Sequence, residues 1–305
     1  MSYAILVPCY NAEQYIDGFL KNLVIQTLQF DEVIFYDDAS IDDTVKLLKG
    51  KGFNVISGEV NKGPGYARNQ LAAACKSEWM HFHDIDDELD LDYLAKTSAV
   101  TKSDPSVDVV LCNVDWHDAV SRKVLLSWTY SNEEINKNSI AYTIAHPIGG
   151  INGLYRKSKF IQTGGFNTEI RIWEDADLHV KLAANNAVFR VIEEVLSRSL
   201  RYYDSASSNQ AQGWLTRLNL LTAYSKSFTG IAEQNEIGRQ ANVTTSNLIL
   251  NGETAAATKA LKLSETCGVS VPNNNSHVWN ILKQLLPASV RIPLRVFQLR
   301  MAFKK

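Results

Sequence analysis

Four short apolar runs, at 3–7, 33–36, 53–56 and 79–82, each give way to polar residues. Nearly continuous apolar runs of this kind read as strands buried on both faces. Between them the spacing becomes helical. Tyr15/Ile16, Phe19/Leu20 and Leu23/Val24 predict a helix with Asn11 as its N-cap and Gln14 at the capping-box position. Ser40 is placed to cap the next helix, with Asp42 and Asp43 in its first turn, where the positive helix end favours them. Gly63-Pro64-Gly65 breaks the chain ahead of an alanine-rich helix to about Cys75. Alternating strand and helix predict an α/β fold, a mostly parallel sheet flanked by helices.

Past Pro105 the rhythm changes. The stretches 107–114, 123–128 and 152–155 read as strands, the last entered through Ile148-Gly149-Gly150-Ile151. Residues 174–184 predict a helix, and 188–191 and 197–203 predict two short strands. The small polar stretch 205–212 marks a boundary, and 214–267 carries helical spacing throughout. These patterns predict one α/β domain over 1–208 and an α-helical C-terminal extension over 209–305.

Composition adds little until its distribution is considered. The chain is 45% hydrophobic and 21% charged with a net charge of −2, so nothing global points to nucleic acid. The last forty residues contain six Lys or Arg and no acid, leaving 25 basic against 33 acidic residues elsewhere. In 277–305 apolar residues at helical spacing precede a proline and then alternate with arginines. That pattern suits a helix packed on the α/β domain with its bases exposed, or a peripheral contact with an anionic membrane surface. Cys9, Cys75, Cys112 and Cys267 lack close spacing and read as buried reduced thiols. The N-terminal segment turns polar too early for a secretory leader, and no apolar run is long enough to span a bilayer. The expected location is cytoplasmic, with possible attachment to the inner face of the membrane through 277–305.

In an open parallel sheet, ligands bind at the carboxyl ends of the strands. Here those ends carry Pro8-Cys9-Tyr10-Asn11, Asp37-Asp38-Ala39-Ser40, Asn61-Lys62-Gly63 and Asp84-Ile85-Asp86-Asp87. Six carboxylates fall within residues 84–92. Of these, Asp87, Glu88, Asp90 and Asp92 read as first-turn acids of the following helix, while Asp84 and Asp86 lie at the strand end itself. An acidic, oxygen-only site of this kind suits Mg²⁺ or Mn²⁺ shared with a phosphorylated ligand. No P-loop lysine motif and no Gly-x-Gly-x-x-Gly follows the first strand, which removes support for ordinary NTPase and dinucleotide readings.

Five segments in order now make a specific resemblance: ILVPCYNAEQYI (5–16), VIFYDDASIDDT (33–44), NKGPGYARNQLAAA (61–74), HFHDIDDEL (81–89) and GGFNTEIRIWEDADL (164–178). The chain resembles the family 2 glycosyltransferases of GT-A fold, over about residues 3–204. The resemblance implies a nucleotide-sugar donor, with UDP as the expected nucleotide, and an acceptor hydroxyl on a glycan or lipid-linked saccharide of the cell envelope. It places Pro8, Tyr10 and Asn11 along the nucleotide pocket, Asp38 on the base, and Arg68 near the base and phosphates. Asp84 and Asp86 form its D-x-D motif, with Asp86 the main metal ligand and Asp84 reaching ribose or metal. Asp175 takes the position of the general base in an inverting single displacement. Trp173, Glu174 and Gly150 are expected on the acceptor side, and Asn152 and Gly149 near the sugar. Two departures stand out. His83 occupies a usually apolar position, and LRYYDSASSN (200–209) lacks the histidine of the family's Tyr-Arg-x-His segment. Two other readings fit parts of the pattern: a nucleotidyltransferase on a related sheet, and a noncatalytic nucleotide-sugar binding protein.

Overall fold

The computed structural model describes residues 1–202, 210–269, 286, 290–294 and 297. The chain divides into two compact units, Met1–Ser205 and Ala206–Lys305.

In the first unit the predicted alternation is realised. The elements are β1 (Tyr3–Cys9), α1 (Ile16–Val24), β2 (Glu32–Asp37), α2 (Thr44–Gly50), β3 (Val55–Ser57), α3 (Pro64–Ala74) and β4 (Trp79–Phe82). They are followed by β5 (Glu88–Leu89), α4 (Tyr93–Ser103), β6 (Val109–Asp118), β7 (Val124–Trp128), α5 (Asn132–Lys137) and α6 (Ser139–Ala145). A short 3-10 turn (Gly150–Asn152) leads to β8 (Gly153–Arg156), α7 (Lys157–Gln162), α8 (Glu174–Ala184) and β9 (Phe189–Arg201). Among the described residues the strands form one sheet in the order β3-β2-β1-β4-β8-β6-β9-β5, with β7 beside β6. The sheet is mixed. β3, β2, β1 and β4 are parallel, β8 runs antiparallel to β4 and β6, and β5 and β7 are antiparallel edge pieces. Apolar clusters cover both of its faces. One gathers Leu6, Leu71, Phe82 and Leu178; the other gathers Ile5, Phe19, Phe35 and Trp79. Full burial on both sides explains why β1 and β4 read as unbroken apolar runs.

Four local expectations need correction. α1 begins at Ile16, with Tyr15 at its N-cap and no side-chain cap. Asn11 instead adopts the left-handed region (φ 49°) and reaches another loop. Ser40 caps no helix and Asp42 and Asp43 precede the first turn, because α2 starts at Thr44; Ser40 instead accepts a hydrogen bond from the Asn11 N–H. The two short strands expected near the end of the unit are one long strand, β9, whose register against β6 shifts around Asn113. Finally, Asp87, Glu88, Asp90 and Asp92 are not first-turn acids, Asp92 being the N-cap residue of the next helix, without a side-chain cap bond. Glu88 lies in β5, Asp87 is buried, Asp90 pairs with Arg198, and α4 begins only at Tyr93.

The second unit contains α9 (Gln210–Ser227), α10 (Ile231–Leu250) and α11 (Thr254–Thr266). Leu218, Leu248, Ala257, Ala260, Leu261 and Ile292 form its core. Most of 277–305 lies outside the described residues. Of the part that is described, Ile292 is buried and Arg291 pairs with Glu265.

Candidate donor and catalytic site

The strand order reverses direction at β1, with β2 on one side and β4 on the other. The carboxyl ends of these strands therefore open into the crevice where open α/β sheets hold ligands.

On the β1–β2 side the chain satisfies most of its own polar groups. The Asn11 N–H donates to Ser40 Oγ at 2.8 Å, and Asn11 Oδ1 accepts from the Ile41 N–H at 2.9 Å. Next to it, the Ala12 N–H donates to Thr44 Oγ1. Asp38 is buried, and its two carboxylate oxygens accept the N–H groups of Lys62 at 3.0 Å and Gly63 at 2.7 Å. Gly63 sits at φ 91°, a conformation suited to glycine, where it opens α3 with Pro64 at the first turn. Asp37 accepts from the Ser40 N–H, and its other oxygen is buried without a partner. Pro8 is the last-but-one residue of β1, and Tyr10 stands half exposed just beyond it.

The β4 side is built differently. Asp84 and Asp86 follow the end of β4, and burial together with the charge of Asp84 pushes the Asp86 carboxyl up to about 6. Asp87 is held well above the usual carboxylate range by burial and by the same two neighbours, and it accepts from the Leu200 N–H. Arg68, on α3, is 5% exposed and lies between two acids. One nitrogen donates to Asp84 at 2.7 Å and another to Glu174 at 2.9 Å. Glu174 begins α8. Burial, then the charge of Asp175, pushes its carboxyl up to about 7 against the opposing pull of Arg68. Burial also raises Asp175, again opposed by Arg68. Asp175 Oδ2 accepts the Gly150 N–H at 3.2 Å, so the Gly149–Gly150 turn orients that carboxylate. A side chain at Gly150 would meet the Arg68 guanidinium at 3.6 Å. Trp173 precedes α8 at φ 74°. Asn152 is buried and donates to the Tyr130 hydroxyl.

The structure thus brings Arg68, Asp84, Glu174, Asp175 and Gly150 together. It places Pro8, Tyr10, Asn11 and Asp38 on the neighbouring strand ends. Sequence reasoning missed Arg201. Its charge acts on Asp86 and Asp87, and its guanidinium lies over the Trp116 ring at 3.5 Å. Arg201 lies in the same 200–209 stretch that lacks the family's histidine, and no local pattern marks its partners. The three histidines near the site are core residues. His81 and His83 face each other at 3.3 Å, His83 also faces the Asp87 carbonyl, and His179 contacts the Tyr155 hydroxyl. Burial lowers them to about 3, 4 and 4 respectively. His83 therefore fills its apolar position as a neutral, hydrogen-bonded ring tilted against Phe19.

Among the described residues no group of three His, Cys, Asp or Glu side chains could by itself hold a metal ion. Asp84 and Asp86 form a two-carboxylate set. Two acids this close, one of them with a raised pKa, suit a hard cation that draws its remaining oxygens from a ligand.

The sequence pattern of Glycosyl transferase family 2 matches residues 4–163. An uncharacterized glycosyltransferase of Haemophilus influenzae is 30% identical over 185 residues, covering 59% of this chain and 61% of that one. A processive diacylglycerol beta-glycosyltransferase of Mycoplasma pneumoniae is 32% identical over 117 residues, covering 36% and 34%. The chain thus aligns with about three fifths of the first relative and one third of the second. In fold it is similar to Staphylococcus aureus TarS 1–349 in complex with UDP-GlcNAc (TM-score 0.59, 18% identity, 91% of this chain and 95% of that one). It is also similar to a Pyrobaculum calidifontis mannosyltransferase in complex with GDP-Man and Mn²⁺ (TM-score 0.60, 16% identity, 99% and 86%). The GT-A architecture follows from these fits, and the profile spans half of the chain: the protein belongs to glycosyl transferase family 2.

Proposed function

We propose that the protein is an inverting glycosyltransferase that moves a sugar from a nucleotide-sugar donor, UDP-linked, to an acceptor hydroxyl on a glycan or lipid-linked saccharide. One observation carries this reading. Asp84 from the end of β4 and Glu174 from the start of α8 converge on the same buried arginine at the ligand edge of the sheet, with Asp86 and Asp175 as their chain neighbours. Pro8, Tyr10, Asn11 and Asp38 frame the nucleotide. Asp84 and Asp86 would hold Mn²⁺ or Mg²⁺, which when bound neutralises charge on the departing diphosphate. Asp175 takes the acceptor proton as the acceptor oxygen attacks the anomeric carbon. The Gly150 N–H orients it, and Arg68 opposes the rise that burial gives its carboxyl. Trp173 and Gly150 border the acceptor side. The α/β domain of 1–208 is the catalytic unit. The basic segment 277–305 serves attachment to an anionic membrane surface where a lipid-linked acceptor resides.

The deciding experiment uses a panel of UDP-sugars with Mn²⁺, scored for UDP released by slow hydrolysis. Wild type is expected to release UDP from one donor. Asp175→Asn is expected to keep UDP affinity and lose turnover. Release of inorganic diphosphate instead would favour nucleotidyl transfer, and unchanged turnover in Asp175→Asn would reject the assigned base.

A further inference from the structure

Glu174 lies beside the acceptor-facing turn and reads most simply as a group that contacts the acceptor. Its geometry argues otherwise. The side chain is only 9% exposed, and Oε1 faces inward to Arg68. Arg68 is itself 6% exposed at the side chain, and two different nitrogens of its fork serve two different acids. The second acid, Asp84, is 39% exposed, so part of its carboxylate stays open to solvent at the end of β4. α3, the end of β4 and the start of α8 thus meet on one guanidinium, which the backbone of Gly150 and the ring of Phe166 enclose. A planar fork can fix two carboxylates at set angles, which a point charge such as lysine cannot.

We propose that Arg68 and Glu174 act as a positioning pair. Glu174 fixes the Arg68 fork, the fork fixes Asp84, and the affinity of the donor site for nucleotide and cation depends on Glu174, although Glu174 touches neither ligand nor acceptor. Without the Glu174 carboxylate the guanidinium is free to turn wholly onto Asp84. It would then compete for the carboxylate that stays open to solvent. This rests on the nucleotide-sugar reading above, but it concerns binding and can be tested without an acceptor.

The test is a double-mutant cycle read by calorimetric titration of UDP in the presence of Mn²⁺, with melting curves to check folding. Glu174→Gln and Arg68→Met are each expected to weaken UDP·Mn²⁺ binding about tenfold, the scale on which partners behind a metal ligand act. The double variant is expected to be no weaker than Arg68→Met alone. Arg68→Lys, which keeps the charge and loses the fork, should fall with Arg68→Met and serves as its substitute if that variant does not fold. An unchanged affinity in Glu174→Gln overturns the pair, as does a Glu174→Gln effect of equal size in both backgrounds, which would mark a direct contact. If wild type itself fails to bind UDP with Mn²⁺, the nucleotide reading falls and the pair's role falls with it.

Discussion

Two neighbouring parts of one sheet edge manage polar groups in opposite ways. At the ends of β1 and β2, Asn11, Asp38 and Ser40 are tied to backbone N–H groups of the chain itself. At the end of β4 and the start of α8, acids crowd together with raised pKa values, and Arg68 serves two of them at once. The first arrangement is largely self-paired as folded, with one Asp37 oxygen left over. The second is left with excess negative charge, which costs free energy unless a cation or a proton joins it. A preformed wall beside an under-neutralised one is the arrangement expected where a charged ligand arrives with its own metal.

The largest effect should come from the under-neutralised side. Asp175→Asn is expected to lower turnover about a hundred- to ten-thousand-fold, the range for loss of a general base, with UDP affinity retained in calorimetry. Turnover should also fall as pH drops through the Asp175 pKa. Burial raises that pKa, so the loss on acidification should begin above the ordinary carboxylate range, as a pH–rate profile would record. Asp86→Ala comes next. It should abolish the Mn²⁺ dependence of UDP binding, measured with and without chelator, while the chain melts at or above the wild-type temperature, because a partly buried acid with a raised pKa is removed. A lower melting temperature would mean that Asp86 supports the fold.

The self-paired side should answer chiefly in stability. Asp38→Ala leaves the Lys62 and Gly63 N–H groups without their acceptor and should cost about 2 kcal/mol in chemical denaturation. An equal loss from Asp84→Ala would erase the contrast between the two sides. The smallest effect concerns His83. Burial lowers its pKa from 6.5 to about 4, so between those values the unfolded chain binds a proton that the native chain refuses. That contribution destabilises the fold as pH falls. The raised Asp86, Asp87 and Glu174 bind protons in the native state and act in the opposite sense. His83→Leu removes only the histidine contribution. Relative to wild type, the variant should therefore gain about 1–2 kcal/mol on moving from pH 7.5 to pH 5. A difference that does not change with pH would reject the lowered pKa.

Much of the first unit is legible in the chain. β4 and α8 begin and end where the apolar runs and helical spacing place them, at Trp79–Phe82 and Glu174–Ala184. Buried strands and amphipathic helices write their periods into the residues. Polar residues at loop starts are less reliable. Asn11 and Ser40 both look like helix caps, because the groups that suit a cap also suit a staple between loops. Which use prevails depends on a partner about thirty residues away, as it does for the Asn11–Ser40 and Asn11–Ile41 bonds.

By itself, then, the sequence determined the strand–helix alternation, the polar strand ends, the division near residue 208 as an expectation, and the family to which the chain belongs. Nearest-neighbour sterics, hydrophobic period and motif order suffice for these. Only the tertiary structure decided that β9 is one strand, that Asp87 is buried apart from the next helix, and that His83 is a core ring. It alone joined Arg68 to Glu174 across 106 residues and placed Arg201 within electrostatic reach of Asp86. These are outcomes of packing and charge pairing between distant segments. A buried charge takes whatever partner the fold brings to it, and no local pattern records which one that will be.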